Sequence, residues 1–235
     1  MNRVIIIGKM PPPVMGTSIW YETLRNSKLN EFFKIDWLDI KAADDINEIG
    51  RFHLKKIIRY PKIYFHFFKE LIFFKPDLVL VPISQSTLGF IKDSIFILLS
   101  KRNTRTLVML HGGNLENWLA SSSRFVQKYV KYVLSNTMGV IVLGQALRQI
   151  FSTFFNPNQI FVAPNGINVE YLSVPRKGSE LIIRYLGNLQ PSKGIMDLIL
   201  AIEIIHLNKK MKNYKLIVNG QWRDEATKNA CEILV

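Results

Sequence analysis

One cysteine, Cys231, occurs in 235 residues, which excludes an intramolecular disulfide and any cysteine-based zinc or iron–sulfur site. Nothing in the sequence therefore asks for an oxidising compartment. Long apolar runs are equally scarce. Val4–Ile7 is too short for the apolar region of a signal peptide, and Lys9 and Pro11–Pro13 follow at once. The uncharged, largely apolar stretch Tyr132–Leu147 falls short of a spanning helix and contains Ser135, Asn136, Gly139 and Gly144. These absences predict a cytoplasmic protein. Acidic residues are also in deficit: 18 Asp+Glu face 31 Lys+Arg, a net charge of +13. That excess attracts polyanions, whether nucleic acid, an anionic membrane surface or phosphorylated small molecules.

What is present is an alternation of strands and helices. Strands are expected at Val4–Ile7, Ile35–Ile40, Asp77–Ile83, Thr106–Leu110, Gly139–Leu143 and Gln159–Ala163. Helices are expected from a Thr17 or Ser18 cap to about Lys28, and over roughly 87–99, 124–135 and 146–154. Strands apolar on both faces and separated by helices predict a parallel sheet covered on both sides. SVPRKGS (173–179) has the composition of a linker. Beyond it the pattern restarts with strand Leu181–Leu186, helix Gly194–Asn208 and strand Tyr214–Val218, too little to close a core of its own.

The segment YLGNLQPSKGIMDLILAI (185–202) has a strand ending at Gly187, a loop carrying Lys193 and Gly194, and then a helix. Helix N-terminal amides, a dipole that favours an anion and a mobile lysine together make a phosphate site. An ordinary strand–turn–helix connection with a solvated lysine has the same residues. Its neighbours are IFVAPNGIN (160–168), MGVIVLGQAL (138–147), the His111-Gly112-Gly113 turn and PPPVMGTS (11–18). In this order and spacing the set resembles the glycosyltransferases of family 4, which have the GT-B fold.

The resemblance implies an α/β, GT-B-like chain. A Rossmann-like N-terminal domain over 1–172 would hold the acceptor, 173–179 would link, and 180–235 would open a second Rossmann-like domain that binds a nucleotide sugar. It implies a glycan or lipid-linked acceptor, transfer with retention, no cofactor and no essential metal. By position, Lys193 would contact the donor diphosphate and Gly187 would let the backbone approach it. Asn188 stands where many members carry an arginine. Gly16 would lie near the donor phosphate, the alternative being a glycine needed for positive φ. His111, at a strand end, would face acceptor and donor sugar as the catalytic-site histidine. Asn165 and Gly166 match the family's turn near the interdomain hinge. Members also carry two glutamates eight apart further on. Glu203, Glu225 and Glu232 lack that spacing, so the expectation is a truncated portion with little activity alone, or one that another chain completes.

His53–Lys75 concentrates charge and aromatics, with Lys55, Lys56, Arg59, Lys62, Lys69 and Lys75 against Glu70 alone. At about 100° per residue, Lys55, Arg59, Lys62, His66 and Lys69 form one stripe. Opposite lies an apolar face containing Ile57, Ile58, Tyr64, Phe65, Phe67, Phe68, Leu71 and Ile72. It is wider than docking on one sheet requires. Pro61 is expected to split or kink this helix. Lysines snorkelling from such a face fit an anionic bilayer, while a core helix with a solvated cationic face fits the same pattern. A basic nucleic-acid-binding module is the alternative function, but no nucleic-acid motif is present. A hydrolase is disfavoured because no G-x-S-x-G elbow accompanies His111.

Overall fold

Short β-branched and aliphatic runs become the strands of a parallel sheet. The computed structural model describes residues 1–12, 14–40, 54–100, 104–166, 181–208 and 213–233, the side chains of 54–58 excepted. The chain divides into two units, Met1–Asn168 and Val169–Val235. The linker expected at 173–179 lies outside the described residues.

In the first unit β1 (Arg3–Gly8), β2 (Lys34–Asp39), β3 (Leu78–Pro82), β4 (Arg105–Leu110), β5 (Gly139–Val142) and β6 (Ile160–Val162) form one sheet. The strand order is β2-β1-β3-β4-β5-β6 and each neighbouring pair is parallel. The order reverses between β1 and β3, a topological switch point at which α/β sheets open a crevice beyond their strand ends. Alternate residues face opposite layers. Ile5, Ile7, Val79 and Val108 pack under α3 (Leu54–Phe73), α4 (Thr87–Ser100) and α6 (Arg124–Leu134). Val4, Ile6, Leu80 and Met109 pack on the other face with Tyr21 of α1 (Gly16–Arg25). That second face is less covered than the pattern predicts: Leu107 and Ile141 are half-buried and Phe161 is exposed.

Several local expectations are corrected. Neither Thr17 nor Ser18 caps α1. The helix begins at Gly16, and the Ser18 hydroxyl reaches back to accept from the Met15 N–H at 2.9 Å. It ends at Arg25, and a short α2 (Leu29–Phe32) follows. The helix expected at 146–154 is a 3₁₀ turn over Gln145–Phe151, closed by three-residue bonds such as Leu147 N–H to Gly144 O. An unexpected α5 (Leu115–Ser121) follows the His111-Gly112-Gly113 turn.

Pro61 does not split α3, which runs unbroken from Leu54 to Phe73. The helix divides its apolar residues between two faces. Phe67 is fully buried, and its ring meets that of Phe96 of α4 at 5.2 Å. Tyr64 packs on the same ring at 4.9 Å and donates its hydroxyl to Lys92 O. Burying a side chain such as Phe67 is worth about 2–3 kcal/mol. Phe65, Phe68, Ile72 and Phe73 remain exposed. Arg59, Lys62 and Lys69 are exposed too, whereas the Lys55 side chain lies outside the described residues. Among the described residues no helix is long and apolar enough to cross a membrane.

In the second unit β7 (Leu181–Leu186) pairs in parallel with β8 (Tyr214–Asn219). α7 (Ile195–Leu207) lies between them in sequence, and α8 (Glu225–Ile233), which the pattern did not reveal, follows β8. Leu189, Ile195, Ile199 and the buried Cys231 form a small core.

Candidate active site

The carboxyl ends of β1, β3 and β4 surround a cavity of about 120 Å³ at the switch point. Lys9 follows β1, Ser84 follows β3 and His111 follows β4, while Thr17 and Tyr21 come from α1 and Lys92 and Asp93 from α4. Sequence reading supplied only His111 of this set.

Tyr21 is almost wholly buried, its ring lying over Gly8 where any Cβ would come within 2.5 Å of it. Its hydroxyl meets His111 Nε2 at 3.3 Å. Trp20 and Tyr21 flank the imidazole at ring distances of 4.9 and 5.3 Å, so two aromatic rings cover a histidine that its neighbouring glycines leave bare in sequence. Burial pushes the His111 pKa down to about 4. Near neutral pH it is an uncharged imidazole, able to donate through one ring nitrogen and accept through the other. Burial, and secondarily Asp93, hold the Tyr21 phenol above its ordinary range. Tyr21 therefore stays protonated.

Asp93 is buried and braces the β3–α4 connection. Its Oδ2 accepts from the Ser84 N–H at 2.8 Å and the Ser84 hydroxyl at 2.5 Å, and its Oδ1 lies 3.3 Å from Lys92 Nζ. Burial raises the Asp93 pKa, against the pull of Lys92 and Ser84. The Lys92 ammonium also sits over the Tyr60 ring of α3 at 5.1 Å. Gln85 Oε1 accepts from the Asn114 N–H and ties this connection to the turn after His111.

Gly16 is the first residue of α1, and a Cβ there would meet nothing within 4 Å. Among the described glycines only Gly194 has a positive φ, so the backbone explanation for Gly16 fails. Asn165 and Gly166 lie exposed shortly before the end of the first unit. Among the described residues no group of three His, Cys, Asp or Glu could hold a metal ion.

In the second unit Gly187, Asn188 and Lys193 share one loop at the end of β7. Asn188 and Lys193 are exposed, and Gly194 turns into α7 with φ 76°. Tyr185, which sequence reading did not single out, braces this loop by donating to Asn188 O at 3.2 Å and Lys193 O at 3.1 Å. A Cβ on Gly187 would find ordinary contacts only, but one on Gly220 would collide with the Gly187 carbonyl. Gly220 thus lets the ends of β7 and β8 close together. The Arg223 N–H donates to Leu189 O, which places a second cationic residue beside the loop.

No protein-family model matches the chain, and no curated protein does. Solved structures do. Sucrose-phosphate synthase from Thermosynechococcus elongatus superposes with a TM-score of 0.67 at 15% identity, over 100% of this chain and 67% of that one. A mutant TarM from S. aureus, in complex with fondaparinux, α-GlcNAc-glycerol and UDP, matches with a TM-score of 0.51 at 18% identity, over 73% of this chain and 34% of that one. The fold resembles that of the GT-B glycosyltransferases. The S. aureus MnaA–UDP co-structure shares it, with a TM-score of 0.54 at 11% identity over 100% of this chain and 66% of that one. The chain thus spans between one-third and about two-thirds of these GT-B-like proteins. At such identities the likeness concerns fold alone.

Proposed function

We propose that this chain belongs to a transferase that moves a glycosyl group from a nucleotide sugar to a glycan acceptor, lipid-linked or on a growing surface polysaccharide. The observation that carries the reading is the His111 cavity at the switch point of a GT-B-like sheet. Neutral His111, oriented by Tyr21, would hydrogen-bond a sugar hydroxyl, with Lys9 and the Lys92–Asp93 pair lining the same cavity. The nucleotide sugar is a substrate, and the scheme uses no cofactor. Two of the similar solved structures hold UDP, which supports a nucleoside diphosphate as the donor's leaving group.

Lys193 is assigned to the donor diphosphate. Asn188 brings no charge, and Arg223, whose backbone N–H bonds Leu189 O, is the candidate for a second cation. Titrating UDP and UDP-sugars into the full chain by calorimetry or NMR tests this. Lys193→Ala should weaken binding roughly tenfold or more, because a hydrogen bond to a charged group is worth about 1.5–3 kcal/mol. Unchanged affinity rejects the assignment.

Gly16 offers a separate test. Gly16→Ala has room for its methyl group and should leave stability within about 0.5 kcal/mol or raise it. If a donor phosphate approaches the start of α1, the same methyl lowers turnover. A variant with wild-type turnover removes Gly16 from the site.

A further inference from the structure

The layer of α3, α4 and α6 carries a surface that the transfer chemistry leaves unused. α4 packs between α3 and α6, so the outer faces of all three look away from the sheet. On α3 the exposed residues fall into two adjoining stripes. Phe65, Phe68 and Ile72 follow a spacing of three and four and form the apolar one, while Arg59, Lys62 and Lys69 form the cationic one. Leu99 of α4 shares a groove wall with Phe68 and Ile72 and widens the apolar stripe. Further along α4, Leu88 is 79% exposed, and on α6 Phe125 is 80% exposed beside Arg124, Lys128 and Lys131.

Among the described residues, acidic side chains are scarce on these three helices. The only acids on the three helices are Glu70, half-buried, and Asp93, buried under Lys92. Large apolar side chains standing in water next to a row of cations are costly on a freely soluble face, and they complement a surface that is both apolar and anionic. The Lys69 ammonium lies over the Phe65 ring at 5.0 Å, the arrangement in which a lysine follows an aromatic ring into an interface and keeps its charge at headgroup level.

We infer that the outer face of α3, α4 and α6 docks on an anionic lipid bilayer, with Phe65, Phe68 and Ile72 inserted and Lys62 and Lys69 at the phosphates. Nucleic acid is the weaker match for this surface. Its apolar stripe is made of Phe, Ile and Leu flush with the helices, where strand-binding grooves align aromatic platforms along a cationic channel. The inference stands independently of the transferase reading, which a failure here leaves untouched.

The test is flotation of the full chain with vesicles of phosphatidylcholine alone and of phosphatidylcholine mixed with phosphatidylglycerol, at low and high salt. Binding should require phosphatidylglycerol and weaken as salt rises. Lys62→Gln with Lys69→Gln should reduce partitioning about thirty-fold, and Phe65→Ser with Phe68→Ser at least tenfold. All four positions are exposed, and the salt dependence of the wild type provides a readout that needs no variant. No binding to mixed vesicles at low salt overturns the inference, as does binding that neither variant pair alters. Displacement from the vesicles by a single-stranded oligonucleotide, with an affinity that depends on the lysines and not on the phenylalanines, overturns it in favour of nucleic acid.

Discussion

Replacing Asp93 by alanine is expected to lower the stability of the first unit by about 3–5 kcal/mol, the usual cost of removing one partner from a buried charged network. The carboxylate has three partners: the Ser84 N–H, the Ser84 hydroxyl and the Lys92 ammonium. Alanine abandons them all and leaves a void beneath the β3–α4 connection. Burial lowers the Lys92 pKa, but Asp93 and Tyr60 outweigh it and hold the ammonium above its ordinary range. The carboxyl is itself pushed upward by burial, so the pair does not fully offset its desolvation. Asp93→Asn should accordingly cost only about 1 kcal/mol, since its amide oxygen can still accept from Ser84 and the Lys92 side chain is 22% exposed and can turn to water. Urea unfolding followed by tryptophan fluorescence separates the two variants. Equal losses for alanine and asparagine would show that the charge, rather than the Ser84 brace, holds the connection.

His111 makes the first unit sensitive to acid. Its pKa falls from 6.5 in the unfolded chain to about 4 in the folded one, so the unfolded chain binds the proton more readily across this window. Stability is complete above pH 6.5 and is lost as pH falls toward 4. The shift corresponds to about 2–3 kcal/mol after allowance for the partly exposed ring. His111→Gln retains a polar group for Tyr21 and lacks the titration. It should lose about 2 kcal/mol less than wild type between pH 7 and pH 4 in urea melts. Parallel pH profiles for the two proteins would mean that the ring titrates normally.

The strands were legible because Val4–Ile7, Leu78–Val81 and Leu107–Leu110 are aliphatic and too short for buried helices, and their regular separation implied parallel pairing. α8 was harder to see but not silent. Asp224 accepts from the Thr227 N–H at 2.7 Å, an N-cap pattern already present in the order Asp-Glu-Ala-Thr. The 3₁₀ turn at Gln145–Phe151 has a helical apolar pattern, and its spacing could not distinguish three-residue from four-residue bonding.

Of the site, His111 was visible from its place at a strand end before two glycines. Tyr21 was not, because it stands 90 residues away and reads as one more apolar residue of α1. Asp93 looks like the polar side of α4 until folding turns it inward to Ser84. The width of the apolar face on α3 was readable, and only the packing shows that Phe67 and Tyr64 account for one half of it and leave Phe65, Phe68 and Ile72 outside.

The division into two units, each with its own core, bears on folding cooperativity. The six-stranded unit and the two-stranded one need not melt together, and a single transition temperature then describes neither. The four tryptophans report unequally: Trp20, Trp37 and Trp118 lie in the first unit and Trp222 in the second. Indole emission is therefore weighted toward the larger core, while loss of the β7–β8 ladder registers chiefly in amide hydrogen exchange.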